Sequence, residues 1–117
     1  MNNKENQVKD LILKELEKYD INPKKKYQGK YIVHMVYEIL QNPNENFLLQ
    51  ELQNAVVTTY KLPSRASLNT LTDRYIKEIF DLTPTQVLKE IAHPYSAEQK
   101  PSVKEFLIHL ADKINIR

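Results

Sequence analysis

Polar side chains of the types that contact DNA are concentrated between residues 61 and 77. Asparagine can bond adenine through two atoms, arginine can bond guanine in the same way, and serine or threonine can bond bases or phosphates. If Leu68, Ile76 and Phe80 are the buried positions of one helix, most polar residues of this stretch point outward. The predicted DNA-contacting residues are Lys61, Ser64, Arg65, Ser67, Asn69, Thr70, Asp73, Arg74 and Lys77.

A simpler interpretation of the same stretch is a helical domain that merely exposes a polar face. The net charge of +2 does not decide between the two, because non-specific DNA binding depends on clustered lysine and arginine rather than on total charge. The residues predicted to contact phosphates in such a cluster are Lys61, Arg65, Arg74 and Lys77.

Catalytic and metal-binding patterns are not found in the sequence. The three histidines, His34, His93 and His109, lack a second ligand type at metal-site spacing. The chain has no cysteine, and its one glycine, Gly29, excludes glycine-rich phosphate loops. No nucleophile, base and orienting group can be identified by order or motif. We therefore expect a protein that is not an enzyme and that uses no metal and no cofactor.

The helices that would position the DNA-contacting residues are predicted at about 46–60 and 64–80. Asn46 is the expected cap of the first and Ser64 of the second, and Lys61-Leu62-Pro63 breaks the chain between them. Two helices joined by so short a turn suit a helix-turn-helix at about 46–80, in which the second helix enters the major groove.

Helical periodicity extends along the rest of the chain. A first helix is predicted from Asn6 to Tyr19, a second from Lys30 to Gln41, and a short fifth helix that is capped by Thr83 and ends near His93. The single glycine also argues against tight hairpins. The fold class is therefore all-α, with about six helices in one domain spanning 1–117, residues 1–6 flexible, and no relation to winged-helix folds.

The last helix combines a well-marked start with a wide apolar stripe. Ser102 is the expected cap, and Glu105 can return a hydrogen bond to it. This stripe fits a helix docked on the core, but its width also predicts an association surface. The residues assigned to that surface are Phe106, Ile108 and Ala111.

No apolar run is long enough to span a membrane, and the start of the chain has no signal-peptide hydrophobic region. Together with the lack of cysteine, this favours a cytoplasmic protein without membrane contact.

Two groups of residues resemble the effector domain of stage-zero sporulation response regulators, the transcription factors that start endospore formation. The upstream group is Pro23, Gly29, Tyr31 and Met35-Val36-Tyr37. The downstream group is Lys100-Pro101, Glu105-Phe106-Leu107 and Leu110-Ala111-Asp112-Lys113-Ile114. The resemblance covers about residues 11–117 and is strong at these two ends.

This resemblance implies a stand-alone DNA-binding transcriptional regulator with a sporulation role. The recognition helix departs from the family, because residues that contact the operator there are replaced here by Ser67, Asn69, Thr70 and Asp73. The sequence also lacks a receiver domain, so we expect the protein to act constitutively, or to be controlled by its expression level or by a partner. The alternative function is a protein-interaction module that pairs with a full-length regulator, or with RNA polymerase, without reading DNA. A homodimer through the last helix is a further expectation.

Overall fold

The computed structural model describes residues 3–42 and 47–115, without the side chain of Asn115, and this part of the chain is helical throughout its regular structure. The prediction of an all-α fold of about six helices is confirmed. A 3₁₀ segment, Pro23–Gln28, lies between the first two helices. The α-helices are α1 Asn3–Leu16, α2 Gly29–Gln41, α3 Leu49–Tyr60, α4 Arg65–Leu82, α5 Thr85–Ile91 and α6 Val103–Asn115.

The core is formed where α1, α2, α4 and α6 pack against one another. An aromatic cluster lies at its centre. The ring centroids of Tyr19 and Phe80 are 5.5 Å apart, those of Tyr19 and Phe106 are also 5.5 Å apart, and those of Phe80 and Phe106 are 5.9 Å apart. Separations and tilts of this kind are favourable for aromatic pairs. The cluster therefore joins α4 and α6 to the turn that follows α1.

Gly29, the first residue of α2, allows a close approach of α1 and α4 side chains to its backbone. A Cβ atom at this position would lie 3.0 Å from Leu16 Cδ2 and 3.0 Å from the hydroxyl oxygen of Tyr75. These distances are shorter than ordinary van der Waals contacts, so the space is available only because glycine has no side chain. Gly29 thus lets α1, α2 and α4 converge at one point.

Two of the predicted caps are confirmed. The Ser64 hydroxyl accepts a hydrogen bond of 3.0 Å from the backbone N–H of Ser67, which fixes the start of α4. At α6, the Ser102 hydroxyl accepts from the Glu105 N–H at 3.1 Å, and the Glu105 carboxylate accepts from the Ser102 N–H at 2.8 Å. This reciprocal pair is the capping box that the sequence predicts.

The predicted cap at Thr83 is wrong. Its hydroxyl donates back to the carbonyl of Ile79 and accepts from the N–H of Asp20, so it closes α4 and ties that helix to the chain after α1. Pro84 precedes α5 without a side-chain cap. A threonine hydroxyl that bonds the carbonyl four residues before it is not available to cap the helix that follows.

Helix boundaries also differ at α1 and α3. α1 begins at Asn3 rather than Asn6, and an ion pair of 2.9 Å between Glu5 and Lys9 spans its first turns. It ends at Leu16, before the predicted Tyr19, because the chain there turns into the core. α3 begins at Leu49, and the predicted cap Asn46 lies outside the described residues.

No helix in the described part of the chain is both long and apolar enough to cross a lipid bilayer.

Candidate nucleic-acid interface

α4 divides the predicted DNA-contacting residues between two sides. Its core positions include Leu68, Thr72 and Ile76, all buried. On the opposite side, Thr70, Arg74 and Lys77 are exposed. These three side chains therefore point outward, as predicted, and they lie within two turns of one another along the same face of α4.

Arg65 and Asn69 point instead toward α3. The Arg65 guanidinium donates a hydrogen bond of 3.1 Å to Gln50 Oε1, and the Gln53 amide donates one of 2.8 Å to Asn69 Oδ1. Gln53 is 4% exposed, so this second bond satisfies a buried amide. The two bonds cross-link the start of α4 to the first turns of α3.

These four side chains border a groove between α3 and α4. The groove has a volume of about 520 Å³ and is open on one side to solvent. Its remaining lining is Leu48, Leu49 and Ala66. The groove offers amide groups from both helices and a guanidinium group from α4, and groups of these kinds bond the edges of bases.

Asp73 and Lys77 form an ion pair of 2.9 Å one turn apart on α4. Both side chains are partly exposed, so the pair contributes little to stability. It affects the surface in another way, because the carboxylate offsets one of the positive charges beside Arg74. The remaining positive charge of this face comes from Arg74 and Lys61.

Lys61 lies in the turn between α3 and α4 with a backbone φ of 53°. This left-handed conformation normally favours glycine, and the sequence has none at this turn. The N–H of Lys61 bonds the Val57 carbonyl and closes α3, and the side chain is exposed. Lys61 therefore places a positive charge close to the start of α4.

Gln50 and Gln53 are functional candidates that the sequence interpretation missed. Helical periodicity in the sequence predicts Leu48, Leu52, Ala55, Val56 and Tyr60 on the buried face of α3. Val56 is buried and Leu52 and Tyr60 are half-buried, but Leu48 and Ala55 are exposed. The observed face follows Leu49, Leu52, Gln53, Val56 and Val57. A signal was present, since the apolar members of this set repeat at helical spacing with Gln53 inside the stripe.

The residues predicted for association on α6 do not lie on one surface. Phe106 is fully buried and Ala111 is 3% exposed, so both belong to the core. The prediction that they belong to an exposed strip is therefore wrong. The reason is that three helices, α1, α2 and α4, pack against α6 and together bury more of its surface than a single neighbouring helix would. Ile108 is 37% exposed and remains on the surface.

The three histidines lie apart in different environments. Burial lowers the pKa of His34, whose ring contacts Tyr60 edge to face with centroids 5.8 Å apart. His109 Nε2 lies 3.1 Å from the carbonyl oxygen of Ile91, and His93 is exposed. Among the described residues, no group of three or more histidine, cysteine, aspartate or glutamate side chains is arranged to hold a metal ion.

Comparisons with protein-family models, curated proteins and solved structures found no match to this chain.

Proposed function

We propose that the protein is a DNA-binding transcriptional regulator in which α3 and α4 act as a helix-turn-helix and α4 enters the major groove. The observation that carries this proposal is the exposed face of α4, where Thr70, Arg74 and Lys77 lie beside the polar groove bordered by Arg65 and Asn69. In this motif the first turns of the second helix contact base edges.

The contacts divide by chemistry. Lys61, Arg74 and Lys77 carry charges at the edge of the surface, where they would neutralise phosphates and make binding dependent on salt. Thr70 and Asn69 carry groups that bond bases. The Asn69 amide nitrogen is a donor not used in the bond to Gln53, and its oxygen has a second lone pair.

Gln50 and Gln53 support the proposal as positioning residues. By holding Arg65 and Asn69 against α3, they reduce the side-chain freedom lost on binding. Asn69 is therefore held in place before any base is contacted.

The resemblance to sporulation regulators also supports DNA binding, a role in sporulation and a cytoplasmic location. The replaced residues on α4 imply an operator that differs from that of the family. The protein is proposed to act without a metal, a cofactor or an enzymatic reaction.

The proposal is tested by selecting bound sequences from a random pool of double-stranded DNA and measuring affinities by fluorescence anisotropy. Arg74→Ala should cost about 1 to 3 kcal/mol at one base position if it contacts a base. Lys61→Ala should weaken all sequences alike and reduce the salt slope by about one. Lys89→Ala is the matched control, because Lys89 is an exposed lysine on α5.

Enrichment of a defined sequence, with losses confined to the variants of the α4 surface, is the expected result. Selection of no sequence at low salt, or equal losses for Lys89→Ala, would contradict the proposal.

Ile108 favours a second function, pairing through α6 with a full-length regulator or with RNA polymerase. Among the described side chains of α6, Ile108 is the one large apolar group that is exposed. Lys104 lies one turn before it, with its Nζ 5.4 Å from the ring centroid of Phe47. Ile108→Glu should then abolish pairing or homodimer formation and leave DNA binding by the isolated domain unchanged. Loss of pairing without any DNA selectivity in the wild type would make this the better description.

A further inference from the structure

A largely apolar cavity lies between α1, α2 and the side of α4 that carries Tyr75. It has a volume of about 420 Å³, is open to solvent on one side, and is lined by α1 and the residues after it, the 3₁₀ segment, α2 and the tyrosines of α3 and α4. Its apolar lining includes Leu13, Leu16, Ile21, Val33, Tyr60 and Tyr75. Cavities of roughly 300 to 1,000 Å³ with mainly apolar walls and a few polar groups are typical of small-molecule sites.

The uncharged polar side chains of this lining include Tyr27, Tyr60 and Tyr75, together with the ring of His34, and the Tyr75 hydroxyl is the one that is buried without a partner among the described residues. Tyr75 is 2% exposed, and its hydroxyl finds no hydrogen-bond partner among the described residues. It lies against Gly29, which also lines the cavity. Burial raises the pKa of Tyr75 to about 12, so the group stays protonated and able to donate. An unpartnered buried hydroxyl costs free energy that a bound acceptor would return.

Charged side chains surround the opening. Lys26 and Lys30 belong to the wall formed by the 3₁₀ segment and α2, whereas Asp10 belongs to α1 and Glu17 directly follows that helix. Lys9 also lines the cavity, but it is paired with Glu5 at 2.9 Å. The wall that includes Gly29 therefore carries the amine donors.

That wall is fixed against α4. Asn22 Nδ2 and Lys25 Nζ each donate a hydrogen bond of 2.9 Å to the carboxylate of Glu78. These bonds hold the pKa of Glu78 below its usual range, with the Asn22 bond making the largest contribution. These bonds thus hold the 3₁₀ segment against α4, where it forms one wall of the cavity.

We propose that this cavity binds a small, mostly apolar molecule whose oxygen acceptor receives a hydrogen bond from the Tyr75 hydroxyl. The Tyr75 hydroxyl and the amines of Lys26 and Lys30 are hydrogen-bond donors. They favour a ligand that carries an acceptor, such as a carboxylate or an alcohol oxygen, over a ligand that carries a cationic group. The apolar body contacts Leu13, Leu16 and Val33.

The occupant of this cavity contacts both helices of the proposed reading unit. Tyr60 is the last residue of α3 and Tyr75 lies in the middle of α4. Binding there stabilises one relative position of the two helices over others. The site itself does not depend on DNA binding, so each proposal fails or stands separately.

The test uses three probes with the same ten-carbon chain: decanoate, decanol and decylammonium. Each is titrated into the ¹⁵N-labelled protein below its micelle concentration, and amide shifts are followed by NMR. Decanoate and decanol should shift the amides of Gly29, Lys30 and Val33 in a saturable way, and decylammonium should bind at least tenfold more weakly. No saturable shift with any probe, or equal binding of the cation, would overturn the proposal.

Two pairs of matched variants locate the occupant. Tyr75→Phe should keep the fold and weaken decanoate binding about five- to tenfold, the worth of one hydrogen bond. Tyr19→Phe is its control, because that hydroxyl is also buried and unpartnered among the described residues but lies outside the cavity lining. Leu13→Trp should block the opening, whereas Leu11→Trp, on the same helix and similarly exposed, should bind normally. Equal binding by Tyr75→Phe and Tyr19→Phe, or normal binding by Leu13→Trp, would reject the assignment.

Discussion

The two sides of α4 treat buried polar groups in opposite ways. Toward α3, the buried amide of Gln53 is satisfied by Asn69, and Arg65 bonds Gln50. Toward α1 and α2, the Tyr75 hydroxyl is enclosed beside Gly29 with no partner among the described residues. On the first side the buried polar group already has its hydrogen bond. On the second side the buried Tyr75 donor has none, so the free-energy cost of burying it is not compensated.

This difference is consistent with the two separate proposals made for the two sides. A satisfied polar network fixes the position of α3 on α4 and presents a defined outer surface, which suits recognition of a rigid partner such as duplex DNA. An unsatisfied donor beside an apolar cavity suits an acceptor that enters from outside. Measurements of stability at three positions, Tyr75, Asn69 and Lys61, test this difference.

The largest effect is expected at alkaline pH. The pKa of Tyr75 is about 12 in the folded protein and about 10 in an unfolded chain. The stability from its protonated form is fully present below pH 10 and is lost as the pH rises toward 12, because the unfolded chain releases the proton first. Wild type should lose about 2 kcal/mol more than Tyr75→Phe across this window.

Urea unfolding at pH 9, 10, 11 and 12 measures this difference. Comparing the two proteins removes the contribution of the other tyrosines and of the lysines, which titrate in both. Parallel stability curves for wild type and Tyr75→Phe would show that the hydroxyl is solvated, and the contrast between the two sides would not hold.

A smaller effect is expected on the satisfied side. Asn69→Ala leaves the buried Gln53 amide without its acceptor and should cost about 1 to 2 kcal/mol. Replacing Gln53 by methionine in the same background should recover more than half of this loss, because neither partner then remains. Thr70→Ala, at the neighbouring exposed position, should change stability by less than about 0.5 kcal/mol.

Chemical denaturation of the single and double variants tests this coupling. Additive losses for Gln53→Met and Asn69→Ala would mean that the two side chains do not interact.

The smallest effect is expected in the turn that joins α3 to α4. Lys61 has a left-handed backbone, which costs a non-glycine residue roughly 1 to 2 kcal/mol. Lys61→Gly relieves this cost but increases the entropy of the unfolded chain, so a net gain of about 0.5 kcal/mol is expected. Lys61→Val should instead destabilise the domain, because a β-branched side chain fits this conformation worst. Thermal unfolding with the order glycine, lysine, valine supports the assignment, and any other order contradicts it.

The sequence predicted those features that depend on local chemistry. The caps at Ser64 and Ser102 were predictable because cap and helix start are neighbours in the chain. Thr83 was assigned wrongly, since its partner Asp20 is distant in sequence. The same limit applies to the face of α3, where Gln53 is buried only because Asn69 of α4 lies opposite it.

The candidate surfaces were predictable to different extents. The outward positions of Thr70, Arg74 and Lys77 follow from the apolar periodicity of α4 alone. The burial of Ala111 depends on how many helices cover α6, and one sequence does not contain that number. The cavity was not predictable, because Leu13, Val33 and Tyr75 come from three separate helices.

The aromatic cluster of Tyr19, Phe80 and Phe106 affects how the chain is made in the cell. Phe106 lies on α6, the last described helix to be synthesised, and translation at roughly 5 to 20 residues per second separates it from Tyr19 by several seconds. Until Phe106 has been synthesised, Tyr19 and Phe80 lack the third ring of the cluster. The aromatic cluster can therefore close only after α6 has been synthesised.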